Sequence, residues 1–246
     1  MHPPIPTCLR FLALPALLWL AAAWPVTLLA ADDALVSCLL EPSMVVAVAS
    51  PVSGVVQRIH RERGDAVRVG DKLFELESAA EQATLALAST RLRLAQSKSA
   101  RHQELIREGI LSEQEGDELM AELELARAAR DEAQAMLARR TVQSPINGVV
   151  LKRLMAPGEQ AAGNPVLRLA TLNPLHADVT LRASAYGRLK PGMPVRISAG
   201  EGFPVLGGRV RQVDPVIDAA SGTYSISVEL ANPGNRVPAG LACALR

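Results

Sequence analysis

The residues of this chain that could carry chemistry are few and stand far apart. His60, His102 and His176 are scattered with no ligand pair among them, so no metal site is expected. There is no Ser-His-Asp set, no nucleophile elbow and no metal cluster, and the chain is therefore read as non-enzymatic and free of cofactors. Cysteine offers the remaining chemistry. Cys8 lies in an apolar N-terminal segment, and Cys38 and Cys243 sit in strand-like stretches near either end of the remaining chain. In an exported chain these two form a disulfide or stay as two buried thiols, and the sequence leaves both open. His102, on an apolar helical seam, is read as packing rather than as a ligand.

What must position these residues is set by a repeat. Ser50-Pro51-Val52-Ser53-Gly54-Val55-Val56 returns as Ser144-Pro145-Ile146-Asn147-Gly148-Val149-Val150, in register at an offset of 94. Six of the fifteen pairs from 50/144 to 64/158 are identical. Each copy closes on an apolar pattern, Leu73-Phe74-Glu75-Leu76 and Val166-Leu167-Arg168-Leu169. The prolines disfavour helix. Gly54 and Gly148 are expected to allow a tight or positive-φ turn before a Val-Val strand, and Gly64 and Gly158 to mark turns. Two such strand sets make a small flattened β-sandwich. It resembles the biotinyl/lipoyl carrier fold, but Ala80 stands about where that fold carries its modified lysine, and roughly sixty helical residues replace the turn.

The bulk properties agree with thin modules. Net charge is +1, with both signs interspersed and no basic patch, so nucleic acid is not an expected partner. Aromatics are only 3% of residues, which leaves Val, Leu, Ile and Ala to build the core. Residues 1–31 read as a signal peptide: Arg10 precedes an apolar run from Phe11 to Ala31, with small residues before Asp32-Asp33. The alternatives are an uncleaved membrane anchor and, from Leu35-Val36-Ser37-Cys38, a lipoprotein box.

Residues 32–48 are expected to form a strand leading toward a barrel, 49–77 the first half of the sandwich, 78–140 an antiparallel helical hairpin and 141–172 the second half. The first helix carries a 3-4 seam of Leu85, Ala88, Leu92, Ala95, Ser99, His102 and Ile106. Gly109 breaks it, and Ser112-x-x-Glu115 is a capping box opening the second helix. The seam of that helix is assigned to Leu119, Ala126, Ala129, Ala133 and Met136. After Asn173-Pro174, read as punctuation, residues 173–246 show alternating strands at 176–181, 194–198, 208–213 and 223–230, with a short helix expected over 183–189. The fold class is mainly β with an α-helical hairpin: a split lipoyl-like sandwich interrupted by a coiled-coil hairpin, then a small antiparallel β-barrel.

This order of parts resembles the periplasmic adaptor, or membrane fusion protein, family (HlyD-like), and in particular the adaptors of resistance–nodulation–division efflux pumps. Phrases such as Leu189-Lys190-Pro191-Gly192-Met193-Pro194-Val195 and Val237-Pro238-Ala239-Gly240-Leu241 are similar to the family's barrel. The resemblance implies an inner-membrane transporter and a TolC-type outer-membrane channel as partners, a periplasmic location, export of small molecules and a ring, most simply a hexamer. It also implies a tip motif, Arg-x3-Leu-x6-Ser, met here by Arg101, Leu105 and Ser112. Charges on the outer faces, Arg91, Arg93, Lys98 and Arg101 on one arm and Glu122, Glu124, Asp131 and Glu132 on the other, are expected to let neighbouring hairpins meet weakly. The chain departs from the family pattern at Arg246, where a membrane-proximal domain is expected to follow. An ABC-type exporter or secretion system, or an envelope scaffold without transport, are the other readings.

Overall fold

The computed structural model describes residues 34–107 and 112–246; the segment read as a signal lies outside them. Two sheets and a helix pair make up the fold. The larger sheet runs β12 (Ala244–Leu245), β9 (Pro194–Ser198), β10 (Leu206–Val213), β11 (Thr223–Leu230), β8 (Pro165–Arg182), β6 (Gly148–Arg153), β3 (Ala66–Val67), with β1 (Leu35–Ala49) along the other side of β8. The smaller runs β5 (Thr141–Gln143), β4 (Lys72–Leu76), β2 (Gly54–Ile59), β7 (Gln160–Ala161). Between β4 and β5 stand α1 (Ala79–Arg107) and α2 (Glu113–Ala138).

The repeat closes on itself as one sandwich. Val56 donates its amide to the Glu159 carbonyl (2.9 Å) and accepts from the Gly158 amide (2.8 Å). Ninety-four residues on, Val150 donates to the Asp65 carbonyl (2.9 Å) and accepts from the Gly64 amide (2.9 Å). The strand pairs obey the same exchange: Gly54 faces Ala161 and Val55 faces Gln160, while Gly148 faces Val67 and Val149 faces Ala66. Each half thus supplies the other's missing edge, and neither is a complete sheet alone. Ser50 and Ser144, both buried, each donate from Oγ to the carbonyl two residues on, which fixes the Ser-Pro corner in both copies. The shared core comprises Val48, Val56, Val67, Leu73, Phe74 and Leu76 with Val142, Val150, Ala161, Val166, Leu167 and Leu169.

The glycines divide differently from expectation. Gly64 and Gly158 hold φ of +94° and +92°, a conformation open to glycine at little cost. Gly54 and Gly148 are not positive-φ turns; they begin strands. Their requirement is space, since a Cβ at Gly148 would stand 2.1 Å from the Ala170 carbonyl oxygen.

Asn173-Pro174 does not punctuate. β8 continues through it for 18 residues and pairs with β1 from Pro165↔Ala49 to Leu181↔Leu35. Prolines stand on both strands there, Pro42 and Pro174, and neither has an N–H to give the ladder. The outcome is a register shift between Pro42 and Met44, a bulge where the sequence suggested a boundary. Below it β8 belongs to the sandwich; above it, to the barrel.

The barrel core gathers Leu40, Leu175, Ala177, Val179, Leu181, Ile197, Val210, Tyr224, Ile226, Val228, Leu230 and Val237. The helix expected over 183–189 is a single 3-10 turn, Ala183–Ala185, whose last carbonyl accepts from the Tyr224 hydroxyl at 3.0 Å. Residues 239–246 complete the circuit between β1 and β9, and Cys38 and Cys243 are joined by a disulfide across that closure.

Candidate partner-binding surface

Alanine-rich sequence and heptad spacing set two helices of 29 and 26 residues side by side, a projection of roughly 40 Å at 1.5 Å per residue. On α1 the seam is as spaced in sequence: Ala88, Leu92, Ala95 and Ser99 are buried, and Leu85 and His102 partly so. On α2 the seam departs from the expected one in two places. Ala129 is exposed and Met136 is 50% exposed, while Gly116, Leu119, Leu123, Ala126, Arg130, Ala133 and Leu137 face inward in unbroken 4-3 alternation. Arg130 is the reason: a charged residue occupies a seam position, lays its stem across the contact and places its guanidinium 3.2 Å from Asp131.

The base is clamped to the sandwich. Arg140 donates to the Ser53 carbonyl (2.9 Å) and pairs with Glu81 on α1, and Arg139 donates to the Pro51 carbonyl (3.2 Å). Both contacts fall on the first half-motif. Ala80 lies exposed in the first turn of α1.

Toward the tip, Arg101 is exposed and Leu105 half-buried on α1, and Ser112 is the N-cap of α2. Residues 108–111, with the expected helix break at Gly109, lie outside the described residues. Ser112 and Glu115 cap each other: Glu115 donates its amide to Ser112 Oγ (3.3 Å), and its carboxylate accepts from the Ser112 amide (3.0 Å) and hydroxyl (2.8 Å). Those two bonds, with a smaller contribution from nearby His102, hold the Glu115 carboxyl below the usual range. Between the helices near this end is a cleft of ≈ 340 Å³, lined by Ser99, His102, Gln103, Gly116, Asp117, Leu119 and Met120.

A second apolar stripe on α1 is not anticipated by the seam. Leu87 (54% exposed) and Leu94 (58%) point away from α2, and with Arg101 and Leu105 they stand at intervals of seven, seven and four. The stripe runs outward to the tip. On α2, Leu125 (72% exposed) and Met136 (50%) lie on the corresponding outer face. Leu87 and Leu94 carry the right spacing in the sequence, but the stronger inward heptad masks it.

The outer charges are also more committed than expected. Lys98 pairs with Glu122 across the hairpin at 3.1 Å, Arg127 with Glu124 at 2.7 Å, and Arg130 with Asp131. Arg91, Arg93, Arg101 and Glu132 keep no ion pair among the described residues. Among those residues no three His, Cys, Asp or Glu lie together as a metal site, and no helix is long and apolar enough to cross a membrane.

Comparison with known proteins bears on this architecture. The CzcB-like barrel-sandwich hybrid domain matches residues 44–170, just over half of the chain. The nickel-cobalt-cadmium resistance protein NccB of Alcaligenes xylosoxydans xylosoxydans is 31% identical over 238 residues, covering 85% of this chain and 58% of that protein. The multidrug efflux pump subunit AcrA of Escherichia coli K12 is 27% identical over 221 residues, covering 77% and 55%. The chain thus spans little more than half the length of these relatives. In structure it is similar to a chimera of MacA carrying the Pseudomonas aeruginosa MexA α-hairpin, with a TM-score of 0.70 at 21% identity over 84% of this chain and 75% of that one. A split sandwich around a helical hairpin, its barrel, and the match across 44–170 together lead to one assignment: the chain belongs to the CzcB-like barrel-sandwich hybrid family of membrane fusion proteins.

Proposed function

We propose that this protein is the periplasmic adaptor of an efflux assembly, joining an inner-membrane transporter of the resistance–nodulation–division type to a TolC-type outer-membrane channel for export of small molecules. The observation that carries the reading is the outward stripe of Leu87, Leu94, Arg101 and Leu105. A hairpin that served only as a strut would keep its apolar residues on one seam and present solvated faces elsewhere. This one has a second apolar stripe ending at the tip residues, which fits a helix pair covered along its side and met at its end.

The side fits another copy. The Lys98–Glu122 pair sets the two arms level, so Leu94 stands level with the turn that carries Leu125, and Arg101 with the turn that carries Glu118. Copies side by side in the same orientation would set leucine against leucine and arginine against glutamate. Such a contact uses α1 of one copy and α2 of the next. It is heterologous and closes as a ring, for which a hexamer is the simplest size. The charges left to add to this contact, Arg91, Arg93, Arg101, Glu118 and Glu132 among them, are exposed, so isolated copies should associate weakly and assemble around the transporter and channel.

The test is photocrosslinking in cells from two positions. A photoreactive residue at Leu94 should capture a second copy, and one at Leu105 should capture the channel. Capture of neither a transporter nor a channel from any hairpin or barrel position would overturn the adaptor reading in favour of an envelope scaffold.

A further inference from the structure

The barrel is closed by residues 239–246, whose side chains are at most partly buried. Residues 239–246 lie as a stave between β1 and β9. Toward β1 they make three backbone bonds: the Leu40 amide to the Leu241 carbonyl (2.8 Å), the Gly240 amide to the Leu40 carbonyl (2.6 Å) and the Cys243 amide to the Cys38 carbonyl (2.9 Å). Toward β9 they pair at Ala244↔Ser198 and Leu245↔Ile197, and the Arg246 amide donates to the Arg196 carbonyl (2.8 Å). Ala239, Leu241, Cys243 and Leu245 are only partly buried, whereas Val237, just before the stave, is fully buried. Cys38, its covalent partner on β1, is 6% exposed.

The chain before the stave is held independently. Asn232 donates from Nδ2 to the Leu172 and Val237 carbonyls (2.9 and 2.8 Å) and accepts at Oδ1 from the Val237 amide (3.1 Å). Its own amide donates to Asn173 Oδ1 (2.9 Å). Everything through Val237 is thus tied to β8 by a buried polar knot. Pro238, Ala239 and Gly240 come next as the natural hinge.

We propose that the Cys38–Cys243 disulfide is a redox latch on the barrel: with it formed the stave is locked between β1 and β9, and without it the stave parts from β1 and β9, leaving both strand edges open. The bond ties the stave covalently to β1 beside their backbone hydrogen bonds, so the stave cannot leave that edge while it is intact. The chemistry balances by thiol–disulfide exchange. The Cys38 and Cys243 thiols lose two protons and two electrons to a disulfide donor, which leaves as a dithiol; a dithiol reductant runs the step backward. The barrel would therefore close only in an oxidising compartment. The latch does not depend on the adaptor reading.

Hydrogen exchange on the whole mature chain, with and without dithiothreitol, tests it, and alkylation with mass analysis counts free thiols in each sample. On reduction the amides of Gly240, Cys243 and Leu245, with Leu40 across the gap, should exchange faster by about tenfold or more, while Val237, Asn232 and the sandwich stay protected. A Cys38→Ser/Cys243→Ser variant should match the reduced protein without reductant. If that variant does not fold, the reduced wild-type chain still gives the answer. No local change on reduction, an equal rise throughout β8 to β11, or two free thiols in the exported protein would each overturn the latch.

Discussion

The sandwich and the hairpin are made from one chain by opposite means. In the sandwich each half completes the other, and twelve buried residues from both halves share a core with Phe74 fully enclosed. In the hairpin a single seam, mostly of alanine and leucine, holds two helices, and several large apolar side chains are left in solvent. Stability is concentrated where the halves interlock, and the proposed partner contacts where the chain leaves apolar surface uncovered. Substitutions should then separate cleanly: those in the sandwich cost folding, and those on the outer hairpin cost partners.

The largest effect sharpens this contrast. Phe74→Ala removes a fully buried ring from the shared core and should destabilise by about 3–5 kcal/mol. Leu94→Asp on the outer stripe should leave the stability within about 0.5 kcal/mol of the parent. It should nevertheless abolish capture of a second copy by a photoreactive residue placed at Leu87, one heptad back on the same stripe. If Leu94→Asp loses stability on the scale of Phe74→Ala, the outer stripe is packing and the division between regions fails.

A smaller effect probes the symmetry itself. Gly54 and Gly148 are equivalent in the repeat, but their surroundings differ. A Cβ at Gly148 meets the Ala170 carbonyl at 2.1 Å, which is backbone of the long central strand, so Gly148→Ala must move β6 from β8 and should cost about 2–3 kcal/mol. At Gly54 the nearest atom, at 2.5 Å, belongs to the Arg140 guanidinium at the end of a flexible side chain, and Gly54→Ala should cost about 1 kcal/mol. Chemical denaturation of the two variants decides it. Equal losses would mean that the halves are interchangeable; the expected inequality says that the hairpin's clamp made one of them yielding.

Much of this is legible in the sequence because a repeat reports on itself. The offset of 94 pairs Val56 with Val150 from the sequence alone, and the hydrogen bonds obey the pairing. The features that stay hidden depend on partners distant in sequence. A glycine kept for space, such as Gly148, looks like a turn glycine until Ala170 is placed against it. Asn173-Pro174 reads as a break until β1 is seen bulging beside it. Arg130 hides a seam position because its charge outweighs its spacing, and Lys98 seems free until the hairpin brings it to Glu122. The tip residues have the expected helical neighbours, but the outward stripe they end is masked by the stronger inward one. The cysteines cannot be paired from spacing, since their meeting depends on the last residues of the chain reaching the first strand.

The smallest effect uses acid, which should act on the two regions in different ranges. In the barrel His176 lies in register between Glu41 on β1 and Glu229 on β11. Burial, and then the nearby positive charge of Arg211, push its pKa below the ordinary 6.5, against the opposing pull of Glu229 and Glu41. The unfolded chain, with an ordinary imidazole, takes up a proton at higher pH than the folded one does. Stability must therefore fall as pH drops through about 6.5 and continue to fall until the folded imidazole also protonates. In the hairpin the relevant group is Glu115, whose carboxyl is held low by the Ser112 amide and hydroxyl. Its contribution is present above about 4.5 and is lost only as pH falls below that, when the cap opens and the start of α2 frays. Thermal denaturation between pH 7 and 5 should thus show a decline that His176→Gln flattens. Exchange of the first amides of α2 should stay unchanged across that range and rise only at lower pH. A His176→Gln variant with the parent's slope would show that the barrel's acid response lies elsewhere, and early fraying of α2 above pH 5 would show that the two regions do not titrate apart.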